Sequence, residues 1–267
     1  LYRYFKGDQP VLAREKEIRP EICNKIVENI ANEIVSFKTG YLLGEPIQYV
    51  SRSDYDTSKE VGELNDIMEL CNKPCVDNDI AEWLYICGVG HRLILPNSDA
   101  LISKAVPALS KGVKPDLGDE SPFSIYCLDP RSSFIVHYSG IGEKPVMGVK
   151  YVKKDDLDVV YSIWTDTEYF EIVGNELTGG EKIVKEAPNT IGSIPVIEYT
   201  LNNSRQGAFE IVLPLLDAIN DTQSDRVDGV DQFIQSLMVL YNAEIDEGKA
   251  KNLRAAGLII LKSFGDN

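Results

Sequence analysis

From Ala208 to Asn242 the chain carries a single helical pattern, roughly two to three times the usual helix length in a globular domain. Pro214 falls in its first turns and Gly229 near its middle, so a kink or a break is allowed at either place. At 100° per residue, Val212, Leu215, Leu216, Ile219, Val230, Phe233, Ile234, Leu237 and Tyr241 fall on one broad face. Asp217, Asp221, Asp225, Asp228 and Asp231 fall on the opposite one, where neighbours four apart repel by a few tenths of a kcal/mol, on the order of 0.3 per pair. Arg226 lies too far round to neutralise them. Such a helix must cover one face and leave the other to water or to a partner, and that choice constrains everything else.

The rest of the chain divides by texture. Pro20 to Lys38 repeats Ile22, Ile26, Ile30 and Ile34 four residues apart, which predicts a helix opening on a proline and closing at Thr39-Gly40. Ser58 to Asn72 and Asn78 to Gly88 predict two more helices. After Gly90 come the short β-branched or aromatic runs HRLIL, FSIYCL, SFIVHY, PVMGVKYV, DVVYSIW and EYFEIV, separated by Gly, Pro, Asn and Asp. They predict an antiparallel meander with hairpin tips at Gly174-Asn175 and Gly179-Gly180. Past the long helix, Asp246 to Ala255 predicts a short helix, and Gly257 to Ser263 a strand with no visible partner. The fold class expected is α+β.

Composition narrows the function. With 43% hydrophobic and 26% charged residues, the chain has the material for one large or two modest cores. No run of apolar residues is long enough to span a bilayer, and the beginning has no signal-peptide pattern, so the expectation is a soluble intracellular protein. Five cysteines without repeated spacing read as reduced thiols, and Cys71 and Cys75, lacking a second pair for zinc, as buried apolar ones. A net charge of −15 argues against a surface that wraps nucleic acid, since phosphate binding needs clustered Lys and Arg. It leaves open a wall past which a polyanion slides.

Catalytic residues are scarce. The only histidines are His91 and His137, both inside strand-like runs and without Ser, Cys or carboxylate at a spacing that suggests a triad. Gly88 to Arg92 (GVGHR) lacks the lysine and hydroxyl of a phosphate loop and the third glycine of a dinucleotide fingerprint, and reads as a helix stop and a turn. The acidic helix face itself has three readings: a solvated surface, a nonadhesive wall facing DNA while the apolar face packs on neighbouring subunits, or a divalent-cation site, which loops supply more often than helices.

Three segments, in order, resemble the portal (head-to-tail connector) proteins of long-tailed bacteriophages. The first is YFKGDQPVLARE with the helix after it, carrying Tyr4, Phe5, Gly7, Tyr41, Leu42, Gly44 and Pro46. The second runs from CGVGHRLIL into PFSIYCLDPRSSFIVHYSG, with Asp129, Pro130 and Arg131. The third is IPVIEYTLNNSRQGAFE and the helix beyond it, with Asn202, Asn203, Asn220, Ser224, Asp225 and Phe233.

The resemblance implies a wing-like α+β domain over 1–207, then a stem-type helix and the start of a clip-proximal segment over 208–267. It implies a structural subunit without cofactor, metal or catalytic residue, in a homo-oligomeric ring of about twelve at one capsid vertex. Double-stranded DNA would pass through the ring without sequence specificity. The terminase large subunit would dock there and hydrolyse any ATP, and head-completion, tail adaptor, major capsid and scaffolding proteins would be further partners. No membrane is involved, and the location is the virion, with the host cytoplasm during assembly. On this reading Asp217, Asp221, Asp225, Asp228 and Asp231 face the channel, and Leu215, Ile219, Val230, Phe233, Leu237 and Tyr241 form the oligomer or core packing face. Family members continue into a second stem helix, a tunnel loop and a crown, so this chain is expected to be truncated. The competing readings are an oligomeric adaptor that does not handle DNA and a metal-dependent nuclease.

Overall fold

The computed structural model describes residues 1–51, 58–97, 121–154, 158–175, 180–234, 238–241 and 258–261. The fold is α+β, and the chain divides into two compact units, each discontinuous in sequence. Unit 1 holds Leu1–Phe5 and Ala31–Ile211, and unit 2 holds Lys6–Ile30 and Val212–Asn267.

Unit 1 opens with a short helix, α1 (Tyr2–Phe5), and continues with α2 (Ile30–Leu43), α3 (Ser58–Leu70) and α4 (Lys73–Cys87). The expected first helix begins ten residues later than the isoleucine repeat suggests, because residues 23–29 have no regular secondary structure. The strands are β1 (Val89–Pro96), β2 (Phe123–Leu128), β3 (Ser133–His137), β4 (Pro145–Lys153), β5 (Asp158–Trp164), β6 (Glu168–Asn175), β7 (Glu181–Pro188) and β8 (Val196–Thr200). They form two antiparallel sheets rather than one meander, ordered β2-β1-β8 and β3-β4-β5-β6-β7. The first two predicted strands leave the meander because β8 returns to pair with β1, His91 standing opposite Glu198. Gly174-Asn175 belongs to β6 rather than to a hairpin tip; Gly179 lies outside the described residues.

Two apolar clusters hold unit 1. Leu93, Leu128, Trp164 and Val196 meet between the sheets, with Ile135 and Tyr169 against them. Val76 and Ile80 of α4 pack on Ile125, with Met68 and Leu84 beside them. A buried ionic group also ties α4 to β1, since Asp77 pairs with both Lys73 and Arg92. Cys71 is half-buried, whereas Cys75 is exposed, against the expectation of two buried thiols.

Helix α4 ends at Gly88, whose φ of +81° is in the left-handed region that glycine adopts without strain, and β1 starts at the next residue with no intervening turn. The 201–209 loop crosses here. A Cβ on Gly88 would lie 2.3 Å from the Arg205 backbone, and one on Gly207 2.3 Å from the Ile86 carbonyl oxygen. Asn202 shapes that loop by accepting from the Gln206 N–H at 3.0 Å and donating to the Gln206 carbonyl at 2.9 Å.

Unit 2 contains the long helix, α5 (Leu213–Ile234), entered through a 3-10 turn at Glu210–Val212. It is shorter than the sequence pattern. A strand, β9 (Met238–Tyr241), replaces the predicted last turns, so Tyr241 is in a strand and not on the helix. The predicted strand near residue 260 is β10 (Leu258–Leu261), and its partner is β9, in parallel. The expected helix at 246–255 lies outside the described residues. Among the described residues no helix is long and apolar enough to cross a membrane.

Candidate functional site: the two faces of the long helix

The face of α5 that its own chain covers is the polar one. Leu216, Asn220, Ser224 and Asp228, spaced four apart, are its buried residues. The cover is the strap Lys6–Ile30, which contains a 3-10 turn at Pro10–Ala13 and has no regular secondary structure from residue 23 to 29. Glu28 donates its backbone N–H to Asn220 Oδ1 at 2.8 Å, Ile26 to Ser224 Oγ at 3.0 Å and Asn24 to Asp228 Oδ1 at 2.7 Å. The Asn24 side-chain amide also donates to Asp228, at 2.9 Å, and to Asp231 Oδ2 at 2.8 Å. At the other end Gln9 donates to Asn29 Oδ1 at 3.1 Å and accepts from the Asn220 amide.

The acidic stripe is therefore not unopposed. Arg14 pairs with Asp225 and Lys16 with Asp228, partners that lie 211 and 212 residues away in sequence. Asp228 departs most from the expected channel-facing role, being 1% exposed. Burial pushes its carboxyl up, but hydrogen bonds from Lys16 and from the Asn24 backbone and side chain outweigh this and hold it at about 2. Hydrogen bonding to Asp225 raises the Arg14 guanidinium above its ordinary value. Asp231 is half-buried on Asn24, Asp217 is half-buried, and Asp221 and Asp225 are exposed.

The apolar face is the less covered one, although Leu216 at its edge is buried. Leu215 is 60% exposed, Val230 57%, Phe233 80% and Ile234 72%, while Ile219 is half-buried. Leu237 lies outside the described residues. Apart from Leu216, the helix thus inverts the usual arrangement, covering polar side chains and presenting apolar ones.

Elsewhere the fold assembles a trio that sequence spacing concealed. His91 Nδ1 lies 2.9 Å from Ser133 Oγ and its Nε2 3.2 Å from Glu198 Oε2, partners 42 and 107 residues away. Ser133 is 2% exposed and its hydroxyl donates to the Asp129 carbonyl at 2.8 Å, a packing role within the fold. The trio pins β1, β3 and β8 together. His137 is at the surface against the Glu143 carbonyl. Asp129 closes a turn onto the Arg131 N–H at 2.9 Å, and the Arg131 guanidinium stacks 4.0 Å from the Tyr2 ring centre and 5.3 Å from that of Trp83.

An α+β chain whose longest helix keeps its apolar side exposed has the surface of an assembly subunit. The chain matches the family model described as "Phage portal protein, SPP1 Gp6-like" over residues 1–267, and it belongs to that family. The family is structural: its members are oligomeric ring components of the bacteriophage capsid vertex, the head–tail connector used in DNA packaging. No curated protein matches the chain.

Proposed function

We propose that this protein forms the portal ring through which double-stranded DNA enters and leaves the capsid, docking the terminase large subunit and later the tail adaptors. The reading rests on the inverted polarity of α5, whose polar face is filled by the strap while Val230 and Phe233 remain exposed. An exposed apolar stripe on a soluble helix is stabilised by packing on another molecule, and in a cyclic assembly that molecule is the next copy. Leu215, Ile219, Val230 and Phe233 form the packing face. Residues 1–207 serve as the wing and 208–267 as the approach to stem and clip. Of the five aspartates, Asp217, Asp221 and Asp225 face the DNA path, while Asp228 and Asp231 hold the strap inward.

Native mass spectrometry with negative-stain imaging tests the ring. A closed ring of about twelve subunits with an axial hole is expected, and Phe233→Asp should leave subunits unassembled. A stable monomer or dimer at high concentration overturns the reading. Asp217→Lys with Asp221→Lys should preserve the ring and impair DNA passage, and normal packaging by that variant overturns the channel role.

A further inference from the structure

Strap and helix meet with matched periods. Four residues of an α-helix advance about 6 Å, and two residues of an extended chain about 6.6 Å. Asn220, Ser224 and Asp228 are four apart on α5, and the N–H donors that they receive belong to Glu28, Ile26 and Asn24, two apart and in reverse order. The three side-chain oxygens stand where the carbonyls of a neighbouring strand would stand. The helix reads a peptide backbone as a sheet edge does, with side chains in place of main chain.

The two ends of this ladder differ, which fixes its registry. One end closes on neutral amides, Gln9 with Asn29 and Asn220. The other closes on charge, with Lys16 on Asp228 and Arg14 3.4 Å from it. A slip of one rung toward the charged end would set the Ile26 N–H at Asp228 and leave the Asn24 side chain without its two carboxylates. The mismatch of about 0.6 Å per rung limits such a ladder to a few rungs.

We infer that Asn220, Ser224 and Asp228 make α5 a binding site for an extended peptide, that its occupant is the chain's own segment 24–28, and that this clamp sets which side of α5 faces outward. Strap and helix behave as one body in the isolated subunit, before any assembly. Asn220, Ser224 and Asp228 are positioning residues.

Hydrogen–deuterium exchange on the full chain, resolved to single amides and run on the monomer, tests the clamp whether or not rings form. The amides of Asn24, Ile26 and Glu28 should be the slowest in residues 21–29. Ser224→Ala, which removes one acceptor, should speed all three about tenfold or more, and Ile26→Pro, which removes the matching donor, should do the same for Asn24 and Glu28. Amides of β4 to β6 should keep their rates in both variants, and Asp221→Ala, which alters an exposed carboxylate on the same helix, should change nothing. Unchanged exchange at 24–28 in the variants overturns the clamp, and so does acceleration spread equally into β4 to β6. Protection seen only in assembled material also overturns it, because the strap would then be held by a neighbouring copy.

Discussion

The two units hold themselves together by opposite means. In unit 1, apolar side chains from two sheets and α4 close on one another around Leu93, Trp164 and Ile80. In unit 2, polar side chains on a helix close on the backbone of a strap, with a buried carboxylate at one end. The first kind of contact is non-directional and tolerates conservative swaps; the second depends on each donor finding its acceptor, since a buried polar group left without its partner costs about 1–3 kcal/mol. Stability that depends on burial and stability that depends on registry should therefore respond to different perturbations.

The largest expected effect is in unit 1. Leu93→Ala, which opens a cavity between the sheets, should lower unfolding free energy by about 3–4 kcal/mol, measured from the denaturant midpoint, with little dependence on pH. Next is Asp228→Ala, which leaves Lys16 without its buried partner and the Asn24 N–H without an acceptor. It should cost about 2–4 kcal/mol and loosen the strap before the sheets, as limited proteolysis near residue 20 would report. Acid should mimic it. Asp228 is held below its ordinary value of 3.8 in the folded chain, so its contribution is complete above that value and is lost as pH falls toward about 2. Strap amides should then gain exchange below about pH 4 while those of β5 stay protected; loss of both together would erase the distinction between the units. The smallest effect is Phe233→Asp on the isolated subunit, within about 0.5 kcal/mol, because that side chain leaves little apolar contact behind.

Much of unit 1 was legible in the sequence because its signals are local. Alternation and turn residues mark β1 to β6, and helical spacing marks α3 and α4, as it does α5 in unit 2. The charged run EKIVKEAP gives β7 no such signal, its side chains being exposed almost throughout. The isoleucine repeat misleads for a definite reason: a spacing of four fits a helix and is also two strand periods, and tertiary contact with α5 decides between them at residues 23–29. The faces of α5 were legible as faces, but which would be covered was not. That depends on Arg14, Lys16 and Asn24, which lie about two hundred residues away and have no local pattern tying them to the helix. His91 is a similar case: strand pairing brings it Glu198, and the second sheet brings it Ser133.

Where α4 runs out, two stretches of main chain pass so closely that Gly88 and Gly207 have room for a hydrogen and nothing larger. In a library carrying every single substitution, selected for folded protein, both columns should hold glycine alone, although neither residue carries any chemistry. Such positions act as spelling constraints: they record the path of the chain and say nothing of its task, and a reader ranking residues by intolerance to change would put them first and be misled about function.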